Sequence, residues 1–149
     1  MITEASRGLG RRLTDAVLEA GEQVVATARR PEQLDHLVAR YGERIRAVAL
    51  DVTDAAAVRA AREATGAFGL LDVVVNNAGY GNSAQIETDL FGVVNVTRAA
   101  LPVLRAQQSG IFVQFSSIGG RVGRHAGVGR VPDGEVRGRG LLRGAGHTR

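Results

Sequence analysis

Glycines and polar residues near the start of the chain form a segment that can bind a phosphate group. The segment Thr-Glu-Ala-Ser-Arg-Gly-Leu-Gly, residues 3–10, lies between a short apolar stretch and a helical pattern. Glycines let backbone amides approach a pyrophosphate, and the amino terminus of the following helix favours negative charge. We therefore predict a pyrophosphate-binding turn made by Ser6, Arg7, Gly8, Leu9 and Gly10. An ordinary tight turn between a strand and a helix fits this segment equally well.

The residues about twenty positions further on indicate which nucleotide such a turn would bind. Sites for NAD usually place an acidic residue there, which binds the ribose 2′-hydroxyl. This chain has Ala28-Arg29-Arg30 instead. Because a guanidinium group can bind a phosphate through two hydrogen bonds, Arg29 together with Arg7 predicts binding of the 2′-phosphate of NADP(H). The alternative is that both arginines are solvated loop residues.

Strand and helix patterns alternate along the chain around these residues. Short runs of β-branched residues predict strands, and apolar residues spaced three or four apart predict helices. The predicted strands cover residues 23–27, 45–50, 71–75 and 111–116, after a stub at 1–3. The predicted helices cover residues 9–20, 31–41, a stretch from a cap at Thr53 or Asp54 to about residue 65, and 86–106. This alternation predicts an α/β fold with a doubly wound parallel sheet.

Composition divides the chain into two regions. Residues 1–118 contain 12 arginines and 13 acidic residues, whereas residues 119–149 contain seven arginines, two acidic residues and 10 of the 20 glycines. We predict a partial nucleotide-binding domain over 1–118 and a disordered Arg/Gly-rich tail over 119–149, because the tail buries too little apolar surface. The absence of cysteine, of a signal-like leader and of a long apolar run predicts a cytoplasmic protein.

Several motifs, in order along the chain, resemble those of the short-chain dehydrogenase/reductase family. The glycine motif is matched at Thr3, Gly8 and Gly10, and the Asn-Asn-Ala-Gly motif is matched in full at residues 76–79. Asp51-Val52 and the Ser-Ser-Ile-Gly-Gly of residues 116–120 are also similar to the family's pattern. The resemblance implies an incomplete Rossmann-like fold that lacks the family's C-terminal third. It also implies hydride transfer between NADP(H) and a carbonyl or alcohol substrate.

The resemblance implies a role for each matched residue. Asp51 and Val52 would contact the adenine, and Asn77, Ala78 and Gly79 the adenosine side of the cofactor. Ser117 would donate a hydrogen bond to the substrate carbonyl, where a hydroxyl stabilises the developing oxyanion. The alternative for Ser117 is a helix cap or a loop hydroxyl.

The chain departs from the family's pattern at positions that matter for binding and catalysis. Glu4 replaces the first glycine, so a carboxylate and a Cβ crowd the turn and repel an anionic cofactor. The stub of first strand leaves both neighbouring strands without a full partner. The segment between Gly79 and Ile86 is shorter than in the family and has only six residues. Asp89 stands where the family has a catalytic asparagine. An ionised aspartate accepts hydrogen bonds but cannot donate them.

The family's proton donor, a tyrosine followed four residues later by a lysine, has no match in the chain. There is no lysine, and the only tyrosines, Tyr41 and Tyr80, precede Ser117. General-acid catalysis contributes roughly 10²–10⁴-fold, so the resemblance predicts an impaired catalyst. The codons of residues 129–136, read one base later, permit Gly-Ala-Tyr-Gln-Thr-Ala-Lys. We therefore hypothesise that the sequence after about Gly123 is an out-of-frame reading of a dehydrogenase gene.

Two other functions remain open at this point. One is a catalytically silent nucleotide-binding module that pairs with a relative, or with a second copy, through the helix predicted over 86–106. The other is nucleic-acid binding through the basic tail, which is less favoured because the tail has no aromatic residue to stack on bases. The pattern does not predict the identity of the small-molecule substrate.

Overall fold

Helices and strands alternate in the computed structural model, which describes residues 1–56, 58, 66–79 and 86–116. The strands are β1 (Val24–Ala28), β2 (Ile45–Ala49), β3 (Val73–Asn76) and β4 (Ile111–Gln114). The α-helices are α1 (Gly8–Glu19), α2 (Asp35–Tyr41) and α3 (Val93–Gln107). Short 3-10 turns span Pro31–Leu34, Gly42–Arg44 and Gly66–Phe68, and a π-helix spans Ile86–Gly92. The tail over 119–149 and most of the helix predicted after Asp54 lie outside the described residues.

The strands form one parallel arrangement around the amino-terminal stub. Strand β1 pairs with β2, β3 pairs with β4, and Ile2 bridges Ala26 of β1 and Val75 of β3. Counting the stub as the first strand gives the order 3-2-1-4-5, in which the direction of winding reverses at the stub. The Ile2 N–H donates to the Val25 carbonyl at 3.0 Å and the Thr3 N–H to the Val75 carbonyl at 3.0 Å. The stub therefore pairs with both neighbours, although only over its own short length.

Helices cover both faces of this sheet. One cluster of buried residues joins Leu18 of α1 and Leu37 of α2 to Val75 of β3. The other joins Val96 of α3 to Val74 of β3. Because successive strand residues point to opposite faces, the neighbours Val74 and Val75 belong to different clusters. The doubly wound α/β fold predicted from the sequence is confirmed, and the architecture is Rossmann-like.

The buried face of α1 differs from the predicted one. The sequence pattern places Leu9, Leu13, Ala16, Val17 and Ala20 on that face. Leu9 is 65% exposed, and the buried positions are Gly10, Thr14 and Leu18. Leu13 and Val17 pack against the core as predicted, whereas Leu9, Ala16 and Ala20 are exposed. The difference arises because a side chain at Gly10 would collide with the Asn77 amide and the Glu4 carbonyl oxygen. This close contact turns the Gly10 side of the helix inward.

The chain's amino terminus lies inside the sheet. The Met1 ammonium donates to the Val73 carbonyl at 2.7 Å. Burial lowers the pKa of this ammonium to about 6, and the nearby Asp72 carboxylate partly opposes the shift.

Beside the amino terminus lies an apolar groove of about 720 Å³, where Val73, Val113 and Phe115 stay partly exposed. None of the helices among the described residues has the length and apolar character needed to cross a bilayer.

Candidate functional site

A cavity of about 910 Å³ opens at the carboxyl ends of the strands, where the order of the sheet reverses. Ligands of open α/β sheets bind at this kind of position. The predicted site residues that line it are Ser6, Arg7, Arg29, Asp51, Val52 and Ala78. Glu4 also lines the cavity, together with residues that were not predicted to belong to a site, namely Ala28, Arg30, Gln33, Leu50, Thr53, Glu87 and Thr88. The structure thus brings together residues from four separate loops, spread over more than half of the chain.

The other predicted cofactor-binding residues do not line the cavity but lie in the same two segments as residues that do. Gly8 has a φ of 55°, which a glycine adopts without strain, and begins α1. Gly10 is buried where α1 meets the loop after β3. Leu9 points to solvent. Asn77 and Gly79 belong to the loop after β3, which adjoins Gly10 and Glu4.

Thr3 joins the turn after the stub to the loop after β3. Its buried hydroxyl accepts hydrogen bonds from the Asn77 N–H at 2.9 Å and the Ala78 N–H at 3.0 Å. The Asn77 side-chain amide donates to the Thr3 carbonyl at 2.9 Å. Thr3 and Asn77 therefore join the two loops that border the cavity. In this structure the Asn77 side chain stabilises the position of these loops.

Glu4 bridges the same two loops with its side chain. One carboxylate oxygen accepts the Gly79 N–H at 3.2 Å, and the other accepts the Arg7 Nε at 2.7 Å and the Arg7 Nη2. The backbone of Glu4 has a φ of 51°, in the left-handed region that costs a non-glycine residue roughly 1–2 kcal/mol. The chain is held there because Thr3 and Ala5, on either side, are bonded to the neighbouring strands.

The lining of the cavity also includes arginines and a fixed carboxylate. The Thr53 hydroxyl, at 2.7 Å, and the Thr53 N–H, at 2.9 Å, both donate to Asp51 Oδ1. These two bonds hold the pKa of Asp51 below its ordinary value, and the positive charge of Arg29 adds to the effect while burial opposes it. Asp51 is therefore an oriented carboxylate near the positive charge of Arg29.

Asn95 of α3 supports this loop, although it was not predicted to be a site residue. Its side-chain amide donates to the Val52 carbonyl at 3.0 Å. The only signal in the sequence was a polar residue beside the buried Val96 within an otherwise apolar stretch. Asp54 Oδ1 accepts the Ala56 N–H at 2.7 Å, which confirms the predicted helix cap at Asp54.

Asp89 lies close to the loop after β3. A Cβ at Gly79 would be 3.1 Å from Asp89 Oδ1. The π-helix that carries Asp89 also contacts the loop after β2, since a Cβ at Gly92 would be 2.6 Å from a Val52 methyl carbon. These contacts place the Gly79 loop, the π-helix and Val52 side by side. Ser117 and Tyr80 lie outside the described residues.

Tyr41 is remote from the cavity. It packs against the cluster formed by α1, α2 and β1, with the Arg40 and Arg44 guanidinium carbons 5.0 and 5.4 Å from its ring centre. Tyr41 does not line the cavity. Across the described segments, no three acidic or histidine side chains come together in an arrangement that could hold a metal ion.

Comparison with known proteins gives a consistent result. The family model described as short chain dehydrogenase matches residues 1–129. An oxidoreductase of Botryotinia fuckeliana, BOA17, is 49% identical over 82% of this chain and 50% of its own length. A 3-ketodihydrosphingosine reductase of Bacteroides thetaiotaomicron is 35% identical over 83% of this chain and 48% of its own length. The chain thus spans about half the length of these curated relatives.

Solved structures agree with these sequence matches. A short-chain dehydrogenase from Streptomyces avermitilis superposes with a TM-score of 0.89 at 36% identity, covering 97% of this chain and 58% of the other. A metagenomic short-chain oxidoreductase in complex with NADP superposes with a TM-score of 0.83 at 27% identity, covering 97% and 72%. The motifs, the strand order and these matches lead to one conclusion: the chain belongs to the short-chain dehydrogenase/reductase family.

Proposed function

We propose that the chain binds NADP(H) in the cavity at the carboxyl ends of its strands, as part of a fold for hydride transfer to carbonyl or alcohol substrates. The observation that carries the proposal is the pair of arginines after β1, Arg29 and Arg30, which line the cavity where NAD-binding folds usually have an acid. A similar structure, the metagenomic enzyme, is a complex with NADP.

The residues present fit most of such a cofactor. The cavity volume of about 910 Å³ lies within the usual range for small-molecule sites. Asp51, Val52 and Ala78 would border the adenosine, Arg29 would pair with the 2′-phosphate, and backbone amides at the start of α1 would face the pyrophosphate. The bound cofactor would supply the hydride. The poor fit is at Glu4, whose carboxylate borders the same cavity.

Catalysis by this chain is proposed to be impaired. Its sequence has no lysine, and neither tyrosine follows Ser117, so no tyrosine-lysine pair is available to protonate a substrate oxygen. This observation favours a second candidate function, a catalytically silent nucleotide-binding module that pairs with another chain through residues 86–106. Turnover of a carbonyl substrate with NADPH above a trace rate would contradict the impairment.

Titration of the whole chain with NADPH and with NADH, followed by calorimetry, tests the binding proposal. NADPH is expected to bind more tightly, and Arg29→Gln should weaken NADPH roughly tenfold because it removes a charge-assisted hydrogen bond. NADH should be nearly unaffected by that change. Arg12→Gln, an exposed position on α1, is the matched control. The absence of saturable binding, or a preference for NADH, would overturn the proposal.

A further inference from the structure

The Glu4 carboxylate already uses groups that an anionic ligand of the cavity would need. It accepts hydrogen bonds from the Gly79 N–H at 3.2 Å and from the Arg7 guanidinium, with Nε at 2.7 Å. A backbone N–H beside a guanidinium is a typical setting for a phosphate oxygen. The Glu4 side chain is 20% exposed and borders the cavity beside Ser6, Arg7 and Ala78. It therefore occupies an anion-binding position with a group from the chain itself.

We propose that Glu4 determines affinity and selectivity in this site by acting as an internal competitor for the phosphates of the nucleotide. This inference rests on the proposed NADP(H) site. A pyrophosphate near the start of α1 must displace the Glu4 carboxylate or lie beside its negative charge. The site consequently disfavours nucleotides whose diphosphate must lie at the Glu4 side.

The position of Glu4 makes this competition difficult to relieve by a small movement. Its backbone is fixed, because the Thr3 N–H donates to the Val75 carbonyl at 3.0 Å and the Ala5 N–H to the Thr27 carbonyl at 2.8 Å. Its carbonyl oxygen packs against Gly10. Only the side chain can rotate away, and doing so gives up its bonds to Gly79 and Arg7 together.

Substitutions of Glu4 separate its charge from its backbone strain. Glu4→Gly removes the carboxylate and relaxes the positive φ, whereas Glu4→Gln removes the charge alone. We expect NADPH to bind at least roughly tenfold more tightly to the glycine variant and several-fold more tightly to the glutamine variant. The same substitutions should raise the affinity for adenosine 2′-monophosphate, which has no diphosphate, less than the affinity for NADPH. Glu19→Gln, an exposed glutamate of α1, controls for net charge.

Arg7 provides a second, independent measurement. In the unchanged chain Arg7→Gln should alter NADPH affinity little, because the guanidinium is already engaged by Glu4. In the Glu4→Gly background the same substitution should weaken NADPH several-fold, so the two changes are not additive. Equal effects of Arg7→Gln in both backgrounds would contradict the proposal.

Inorganic pyrophosphate distinguishes a failure of this inference from a failure of the proposed function. If no variant binds NADPH but pyrophosphate raises the Tm of Glu4→Gly and leaves the unchanged chain unaffected, the NADP(H) proposal is wrong and the role of Glu4 stands. If the unchanged chain and Glu4→Gly bind NADPH equally, the NADP(H) site stands and the role of Glu4 is refuted. The role of Glu4 is likewise refuted if neither ligand distinguishes the two proteins.

Discussion

At the scale of single residues, the hydroxyl of Thr3 joins the two loops that border the candidate site. It is buried, accepts two backbone N–H groups of the loop after β3, and donates to the Val75 carbonyl at 3.3 Å. A buried N–H that loses its partner costs roughly 1–3 kcal/mol. The Thr3 hydroxyl therefore both stabilises the fold and shapes the cavity.

We predict that Thr3→Val lowers the free energy of unfolding by about 2–4 kcal/mol, because the Asn77 and Ala78 N–H groups both lose their acceptor. Urea denaturation measures this loss. Thr27→Val is the matched control: its buried hydroxyl donates to the Ile2 carbonyl at 3.2 Å, and that carbonyl keeps the Thr27 N–H as a partner. A loss for Thr3→Val no larger than for Thr27→Val would show that the hydroxyl does not brace the loops.

The site residues that were predictable from the sequence are those in short motifs with one chemical role. The turn before α1 and the loop after β3 are adjacent as expected, and Arg29 and Asp51 share one cavity. Asn95 was not predictable, because it acts through a carbonyl more than forty residues away in sequence. Gln33 and Thr88 line the cavity for a similar reason, since only the packing of separate elements brings them there.

At the scale of elements, local patterns predicted the strands more accurately than the helix faces. Each described strand falls within about two residues of its predicted bounds, since buried parallel strands appear as short β-branched runs. The buried face of α1 was predicted only in part, at Leu13 and Val17, because a glycine contact that periodicity does not indicate sets the rotation of the helix. The predicted helix over 86–106 begins as a π-helix, Ile86–Gly92, before α3. Its packing of Gly92 on Val52 is a tertiary contact that local propensity cannot indicate.

The first strand gives a pH-dependent prediction. Unfolded, the Met1 ammonium has a pKa near 8.0, and burial in the sheet lowers it to about 6. Between these values the unfolded chain binds more protons, so the stability of the fold rises with pH from 6 to 8. The contribution is on the order of 2 kcal/mol.

Denaturation at several pH values, on the free and the Nα-acetylated chain, measures this contribution. Acetylation removes the charge and keeps an N–H to donate to the Val73 carbonyl. The acetylated chain should be more stable near pH 6 and less dependent on pH up to 8. Every other titratable group is common to both proteins, so its contribution cancels in the comparison. Identical pH profiles would show that the amine is not buried in solution.

At the scale of the whole molecule, the two compositional regions differ in how far the family model covers them. The family model covers residues 1–129, so it includes the nearly neutral region and little of the arginine-rich one. The motifs that resemble the family end near residue 123. Beyond it, the sequence is rich in arginine and glycine. The change of composition lies just after the position of Ser117, where the family places its proton donor.

An out-of-frame reading accounts for both the change of composition and the missing lysine, and the coding DNA tests it directly. The hypothesis requires A as the third base of the Val131 codon, because only TAC among the shifted triplets there encodes tyrosine. It requires A again as the third base of the Glu135 codon, which turns the shifted triplet into AAG for lysine. Any other base at either position refutes it. If both are present, removing one base between codons 123 and 129 should restore the tyrosine and lysine at four-residue spacing. NADPH-dependent turnover should then rise by roughly 10²–10⁴-fold over the unchanged chain, the contribution of a general acid.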